Sequence, residues 1–179
     1  YAEQLRAKEQ LFRRSIARMP EAAKATIDIH AAPQAIGYRS RLHLHANFFG
    51  GKFEFGFYAK GTRTLLPVTH CAVASPALQR TVTALAALRS QNFEVPQNFG
   101  FGIELIDLVE EGRVLMTLYS TPERRPLLRA VQPEFAAVDR TAVVALAHAD
   151  DAALFRWQRI GDVQMYTRAG CFQQVNRAQ

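Results

Sequence analysis

Near its C-terminus the chain reads Gly170-Cys171-Phe172-Gln173-Gln174-Val175-Asn176. A cysteine, an aromatic ring and two amides in one short stretch suit contact with a flat, polar ligand. A nucleophilic cysteine needs a base or a positive environment to become a thiolate. Arg168 is close in sequence and no histidine is, so Cys171 reads as a plain loop or half-buried cysteine. A second group is Tyr38-Arg39-Ser40-Arg41. On an extended strand Arg39 and Arg41 share one face. Guanidiniums beside an aromatic suit single-stranded RNA, where bases stack and phosphates pair. The alternative is a partly buried tyrosine with arginines paired to nearby acids. His43 and His45 are also two apart, a spacing that can hold a metal. No third ligand lies near them in sequence, so they read as a polar strand face. Cys71 is a lone thiol, and an iron–sulfur cluster needs about four. The serines lack the Gly-x-Ser-x-Gly pattern, and no phosphate-binding glycine motif is present. No self-contained catalytic apparatus is visible, and no catalytic residue is assigned within these 179 residues.

The elements that must carry these residues follow from periodicity. Leu5, Phe12, Ile16 and Met19 recur on one helical face, predicting a helix over 1–19 that Pro20 ends. Nothing ahead of Tyr1 caps it, so the chain is expected to begin as a cut piece. Residues 25–30 read as a short strand. Leu42, Leu44 and Ala46 alternate with Arg41, His43 and His45, predicting a strand over 38–49. Gly50-Gly51 is a hairpin signal. Phe53, Phe55 and Phe57 then alternate with Lys52, Glu54 and Gly56, and a short strand ends at Pro67. Ser75-Pro76 opens a helix to about Arg89, with Ser75 as N-cap. Residues 102–120 read as a hairpin turning at Glu111-Gly112, and Thr121-Pro122 starts another helix. Residues 141–149 read as a buried strand, 150–162 as irregular, and 163–168 as alternating. This order predicts an α+β fold: an antiparallel sheet with flanking helices in a single domain over 1–179.

Composition narrows the partners. The net charge is +6, and residues 1–63 hold 11 Lys/Arg against 5 Asp/Glu, while 64–179 hold 11 of each. The excess therefore sits in the first third. It reads either as a solvated basic face or as an RNA or DNA surface. No apolar run approaches the roughly 20 residues that span a bilayer. The first residues are no signal peptide, and two cysteines build no disulfide framework. A cytoplasmic, monomeric protein with no membrane contact is expected.

In order, "YAEQLRAKEQLF", "IGYRSRLHLHANFFGGKFEFGFYAKGTRTLLPVTHCAVASPAL" and "FQQVN" resemble the RNA uracil-5-methyltransferases, which use S-adenosylmethionine to make 5-methyluridine. The marks are Tyr38, Arg39 and Arg41; Gly56-Phe57; Cys71, Pro76 and Leu78; and Phe172, Gln174 and Asn176. The resemblance implies a central α+β domain, expected to be followed by a Rossmann-like methyltransferase domain that this chain lacks. It implies RNA, with ribosomal RNA favoured, as substrate and partner. It implies that a cysteine thiolate adds to C6 of uracil and C5 takes the methyl group. A base then removes the C5 proton and the thiolate leaves. Both groups belong to the following domain. Phe172 then packs beside the target base, and Gln174 contacts base or cofactor. Tyr38, Arg39 and Arg41 contact RNA. Cys71 matches one ligand of a 4Fe-4S cluster whose other cysteines precede this chain, so no cluster is expected in it. A non-catalytic RNA-binding module is the alternative reading, and a protein-interaction domain a third.

Overall fold

The structure, a computed structural model, describes residues 1–19, 21 and 25–138, and the backbone of three later strands at 142–146, 155–160 and 163–168. It divides into two compact units, Tyr1–Ala35 and Ile36–Arg177.

The first unit carries helix α1, Ala2–Ile16. Glu3–Arg6 and Glu9–Arg13 pair along its surface at 2.9 and 2.7 Å. No residue of α1 is buried, and Phe12 of the apolar stripe is 53% exposed. The Tyr1 hydroxyl accepts from the Ala32 amide at 2.9 Å. Residues 25–30 are not a strand. Alternation alone does not make one, because a strand exists only with a partner to complete its ladder.

The second unit is built on a six-stranded sheet of order β3-β2-β1-β4-β5-β6. Strands β1 (Arg41–Phe49) and β2 (Lys52–Tyr58) form the expected hairpin. Gly50 and Gly51 both take positive φ, 57° and 74°, as a turn matched to strand twist requires. Strand β3 (Leu65–Pro67) pairs with β2 at the edge. Strand β4 (Phe99–Leu108) lies antiparallel to β1 and joins the meander to the second hairpin. A 3₁₀ turn over Val109–Glu111 and Gly112, at φ 62°, leads into β5 (Arg113–Tyr119). The chain then passes through a short 3₁₀ turn and α3 (Arg125–Val138) to β6 (Ala142–Leu146). That helical crossover makes β5–β6 the parallel pair among the described strands. Outside this sheet, β7 (Phe155–Ile160) pairs with β8 (Val163–Arg168). Residues 155–160 are thus a strand where the sequence read as irregular. Two residues link them to β8, which supplies the missing ladder.

One sheet face carries a core rich in phenylalanine. Phe48, Phe53, Phe55, Phe99 and Phe101 lie on it with Phe93. Helix α2 (Pro76–Ala87) presses Leu78, Val82 and Leu85 against that face, and α3 adds Leu128, Val131 and Phe135. Phe135 meets Phe53 edge-on, with centroids 5.2 Å apart and planes at 77°, a favoured aromatic geometry. The α+β architecture therefore matches the pattern read from the sequence.

Ser75 ties the layers together. Its hydroxyl accepts from the Leu78 amide at 3.3 Å, capping α2, and donates to Asp107 of β4 at 2.6 Å. Gly56, one of the resemblance marks, is demanded by backbone proximity. A Cβ there would collide with the Leu66 carbonyl oxygen. Gly56→Ala is therefore expected to force β3 away from β2. Hydrogen exchange should then speed at the Val68 amide, which donates to Phe55 O, with the β1–β4 amides unchanged.

Candidate nucleic-acid interface

Tyr38–Ser40 lead into β1 on a backbone held from two sides. The Arg39 amide donates to Val73 O at 2.7 Å, and the Ser75 amide donates to Arg39 O at 2.9 Å. On the other side the Asp107 amide donates to Ser40 O at 2.8 Å. Gly37, at φ 69°, starts this run and donates to Ala72 O at 3.0 Å. Tyr38 and Arg39 are half-buried, and the Arg39 Nε is buried without a hydrogen-bond partner among the described residues. The fold thus sets the Tyr38–Arg41 run beside the segment that begins at Cys71, some 30 residues later.

Cys71 is half-buried and unpaired with another cysteine, and its amide donates to Gln79 Oε1 at 2.8 Å. Among the described residues, no three His, Cys, Asp or Glu side chains gather as a metal site. One thiol of about four does not fit an iron–sulfur cluster, and no step is derived through one.

Arg41 turns to the sheet face opposite the phenylalanine core. There its guanidinium pairs with Glu104 of β4 through Nε at 2.8 Å and through a terminal nitrogen. Both side chains are well buried, 11% and 3% exposed. His43 stands directly across from Glu104 in register and meets Oε1 with Nε2 at 2.6 Å. Its Nδ1 lies 3.0 Å from the Tyr119 hydroxyl. A buried carboxylate, a guanidinium, an imidazole and a phenol are thus linked across β1, β4 and β5. Burial, and secondly the Glu104 carboxylate, hold the Tyr119 phenol above the ordinary tyrosine range. The phenol therefore stays protonated and available as a hydrogen-bond donor. His45 does not join a metal site with His43. Its ring stacks on Tyr58, with centroids 3.8 Å apart and planes at 12°.

Of the residues singled out by sequence, the structure brings Tyr38, Arg39, Arg41 and Cys71 into one region. Arg41 adopts the second of the two readings left open for it, pairing with an acid. Phe172, Gln174, Asn176 and Cys171 lie outside the described residues. Glu104, Tyr58 and Tyr119 were not singled out. The available signal was glycine within a strand, which marks a close approach by another group. Gly102 is such a case, since a Cβ on it would collide with the Tyr119 ring.

The architecture is that of an α+β domain found in RNA-modifying enzymes. The crystal structure of the Pyrococcus abyssi tRNA (uracil-54, C5)-methyltransferase, in complex with S-adenosyl-L-homocysteine, superposes with a TM-score of 0.63. The match covers 99% of this chain and 45% of that one at 13% identity, so it establishes the fold. In sequence, the chain is 30% identical over 135 residues to the 23S rRNA (uracil(1939)-C(5))-methyltransferase of Haemophilus influenzae, covering 75% of this chain and 27% of that protein. The enzyme of the same name from Mannheimia succiniciproducens is 34% identical over 112 residues, 62% of this chain and 24% of its own length. An uncharacterised RNA methyltransferase of Thermosynechococcus vestitus is 37% identical over 86 residues, 48% of this chain and 19% of its own length. No family model matches the chain. By these relationships the chain is homologous to one part of the RNA uracil-C5-methyltransferases, and it spans about a fifth to a quarter of the length of the relatives it matches.

Two expectations follow from the network. Removing one partner of a buried ion pair strands the other, at a cost of about 3–5 kcal/mol. Glu104→Ala should lower unfolding free energy by that order in urea titration, and Glu104→Gln by less. The second concerns pH. Burial, with His43 a secondary cause, holds His45 below the ordinary histidine range. The unfolded chain therefore binds this proton more readily. The neutral ring's contribution is complete above the pKa of an unfolded histidine, about 6.5. It is lost as pH falls through the lowered folded value. NMR titration should place the His45 midpoint below the ordinary histidine value of about 6.5, and His45→Gln should flatten the decline in stability over this window.

Proposed function

We propose that this chain is the central, RNA-facing part of an S-adenosylmethionine-dependent RNA uracil-C5-methyltransferase acting on ribosomal RNA in the cytoplasm. The observation that carries the reading is the 135-residue match to the 23S rRNA enzyme of Haemophilus influenzae. The Pyrococcus abyssi enzyme, crystallised with S-adenosyl-L-homocysteine, supports the choice of methyl donor. Among the described residues no helix is long and apolar enough to cross a membrane, which accords with a substrate met in water.

On this reading the chemistry is divided along the protein. The bound cofactor supplies an electrophilic methyl group. This chain's task is to hold RNA so that one uridine reaches that group. Arg39 is the most direct candidate for a phosphate or base contact. Its backbone bonds through both N–H and C=O to the 73–75 segment, the next residue is held by the Asp107 amide, and its buried Nε–H has no protein acceptor among the described residues. A buried donor left unpaired costs stability, and an RNA oxygen would relieve that cost. Tyr38 adds a ring beside it. Arg41 is committed to Glu104 and contributes by shaping the strand and its local charge, with any RNA contact made from that paired position. Phe172 and Gln174 form one wall of the active site, against the domain that supplies the nucleophilic cysteine and the base. Cys71 takes no part in this chemistry.

The test is methyl transfer from tritiated S-adenosylmethionine to ribosomal RNA. A chain extended to include the methyltransferase domain is expected to be active, and the 179-residue chain inactive. Activity of the short chain would overturn the division of labour. Binding offers a separate check. Arg39→Ala should weaken oligouridylate binding and reduce the slope of log affinity against log salt by about 0.7, the value for one single-strand phosphate contact.

A further inference from the structure

We infer that the sheet face opposite the phenylalanine core bears a second RNA contact, a base-stacking platform made by Tyr58 backed by His45. This inference rests on the RNA reading above and adds a surface that lies apart from the Tyr38–Arg39 run. The cross-strand register builds it. Gly56 of β2, His45 of β1, Gly102 of β4 and Tyr119 of β5 occupy one row across four strands. His45 is therefore flanked on both sides by glycine. On one side Tyr58, two residues beyond Gly56 on the same face, lies parallel to the imidazole, while the Leu66 backbone closes over Gly56. On the other side the Tyr119 ring leans across Gly102. Three flat side chains, Tyr58, His45 and Tyr119, thus share this face.

One face of the Tyr58 ring is covered by His45, yet the residue remains 44% exposed. A nucleobase can continue that stack on the open part of the ring, and such stacking tolerates any base. The charge nearby has the right sign. Lys60 and Arg63 are exposed in the turn that immediately follows Tyr58. Hydrogen bonds from Thr62 N to Ala59 O at 3.0 Å and from Ala59 N to Thr64 O at 2.9 Å order that turn. From residue 55 to residue 93 the chain has no Asp or Glu, so no carboxylate adjoins these cations in sequence. An aromatic ring with one face braced and two cations in the adjoining turn matches single-stranded RNA, whose bases alternate with phosphates. An acidic protein would use the cations and leave the ring unused.

The experiment measures binding of a fluorescein-labelled oligouridylate to the 179-residue chain at low salt, beside an abasic oligomer of equal length and charge. Tyr58→Ala is expected to weaken oligouridylate binding about tenfold, as loss of one stacked base does, and Tyr58→Phe to stay near the unaltered chain. Abasic binding should not change in either variant. Lys60→Ala with Arg63→Ala should weaken both ligands. Thermal unfolding of each variant confirms the fold, and Tyr58→Phe keeps the ring should Tyr58→Ala be unstable. Oligouridylate binding that Tyr58→Ala leaves intact, or abasic binding that falls equally, overturns the platform while the RNA reading stands. Poly-glutamate displacing oligouridylate at equal charge also overturns it, in favour of an acidic protein partner. Failure of the unaltered chain to bind any RNA overturns both readings.

Discussion

A single buried carboxylate governs how the sheet is assembled. Glu104 sits on a strand buried on both faces, with Ile106 and Leu108 beyond it and Leu115 on the next strand. A carboxylate in such a place must be paired, because desolvation alone is prohibitive. Arg41 and His43 meet it from the neighbouring strand. This requirement singles out one alignment of β1 on β4. A slip of β1 by one residue would bring Leu42 and Leu44 out to the polar face and carry Arg41 and His43 away from Glu104. The pairing contributes more to specificity of register than to net stability, which comes mainly from the aromatic core.

With the register set, the two faces of the sheet take different roles. The helix-covered face is filled by large rings and branched side chains, and α2 and α3 close over it. The other face has its side-chain positions thinned by Gly56, Gly100 and Gly102. The gap at Gly102 admits the Tyr119 ring from the neighbouring strand, and the Leu66 backbone closes over Gly56. Ser75 and Asp107 join the two layers where the Tyr38–Arg41 run enters the sheet. Ser75, which caps α2 with its hydroxyl, also holds that run through its amide bond to Arg39 O.

Much of this architecture was legible in the sequence where local rules decide it. Alternation in 41–49 and 52–58, the Gly50-Gly51 turn and the Ser75 cap each rest on nearby residues, and each is found. Residues 25–30 have the same alternation but no partner strand, which local pattern cannot reveal. Residues 155–160 are a strand whose alternation is broken by Arg159, and pairing with β8 overrides that break. At the site, Arg39 and Arg41 were identifiable as a basic pair, yet their different fates were not. Glu104 lies 63 residues from Arg41 and sits in "GIELIDL", which reads equally well as a half-exposed strand. Only the β1–β4 pairing makes it the acid that Arg41 meets.

The fates of these two arginines show how one strand end can serve both fold and ligand. Arg41 has its charge consumed by a buried acid, so its loss would act first on the sheet. Arg39 has its backbone fully engaged and its Nε without an acceptor among the described residues, so the fold determines where the guanidinium is presented while leaving its chemistry unspent. A donor positioned by backbone bonds pays little entropy when it meets an anion, because the ordering is complete before the ligand arrives. Chemistry on a bound ligand needs the reacting atoms held about 3–3.5 Å apart. A contact held by two neighbouring segments can supply that precision where a flexible basic tail cannot.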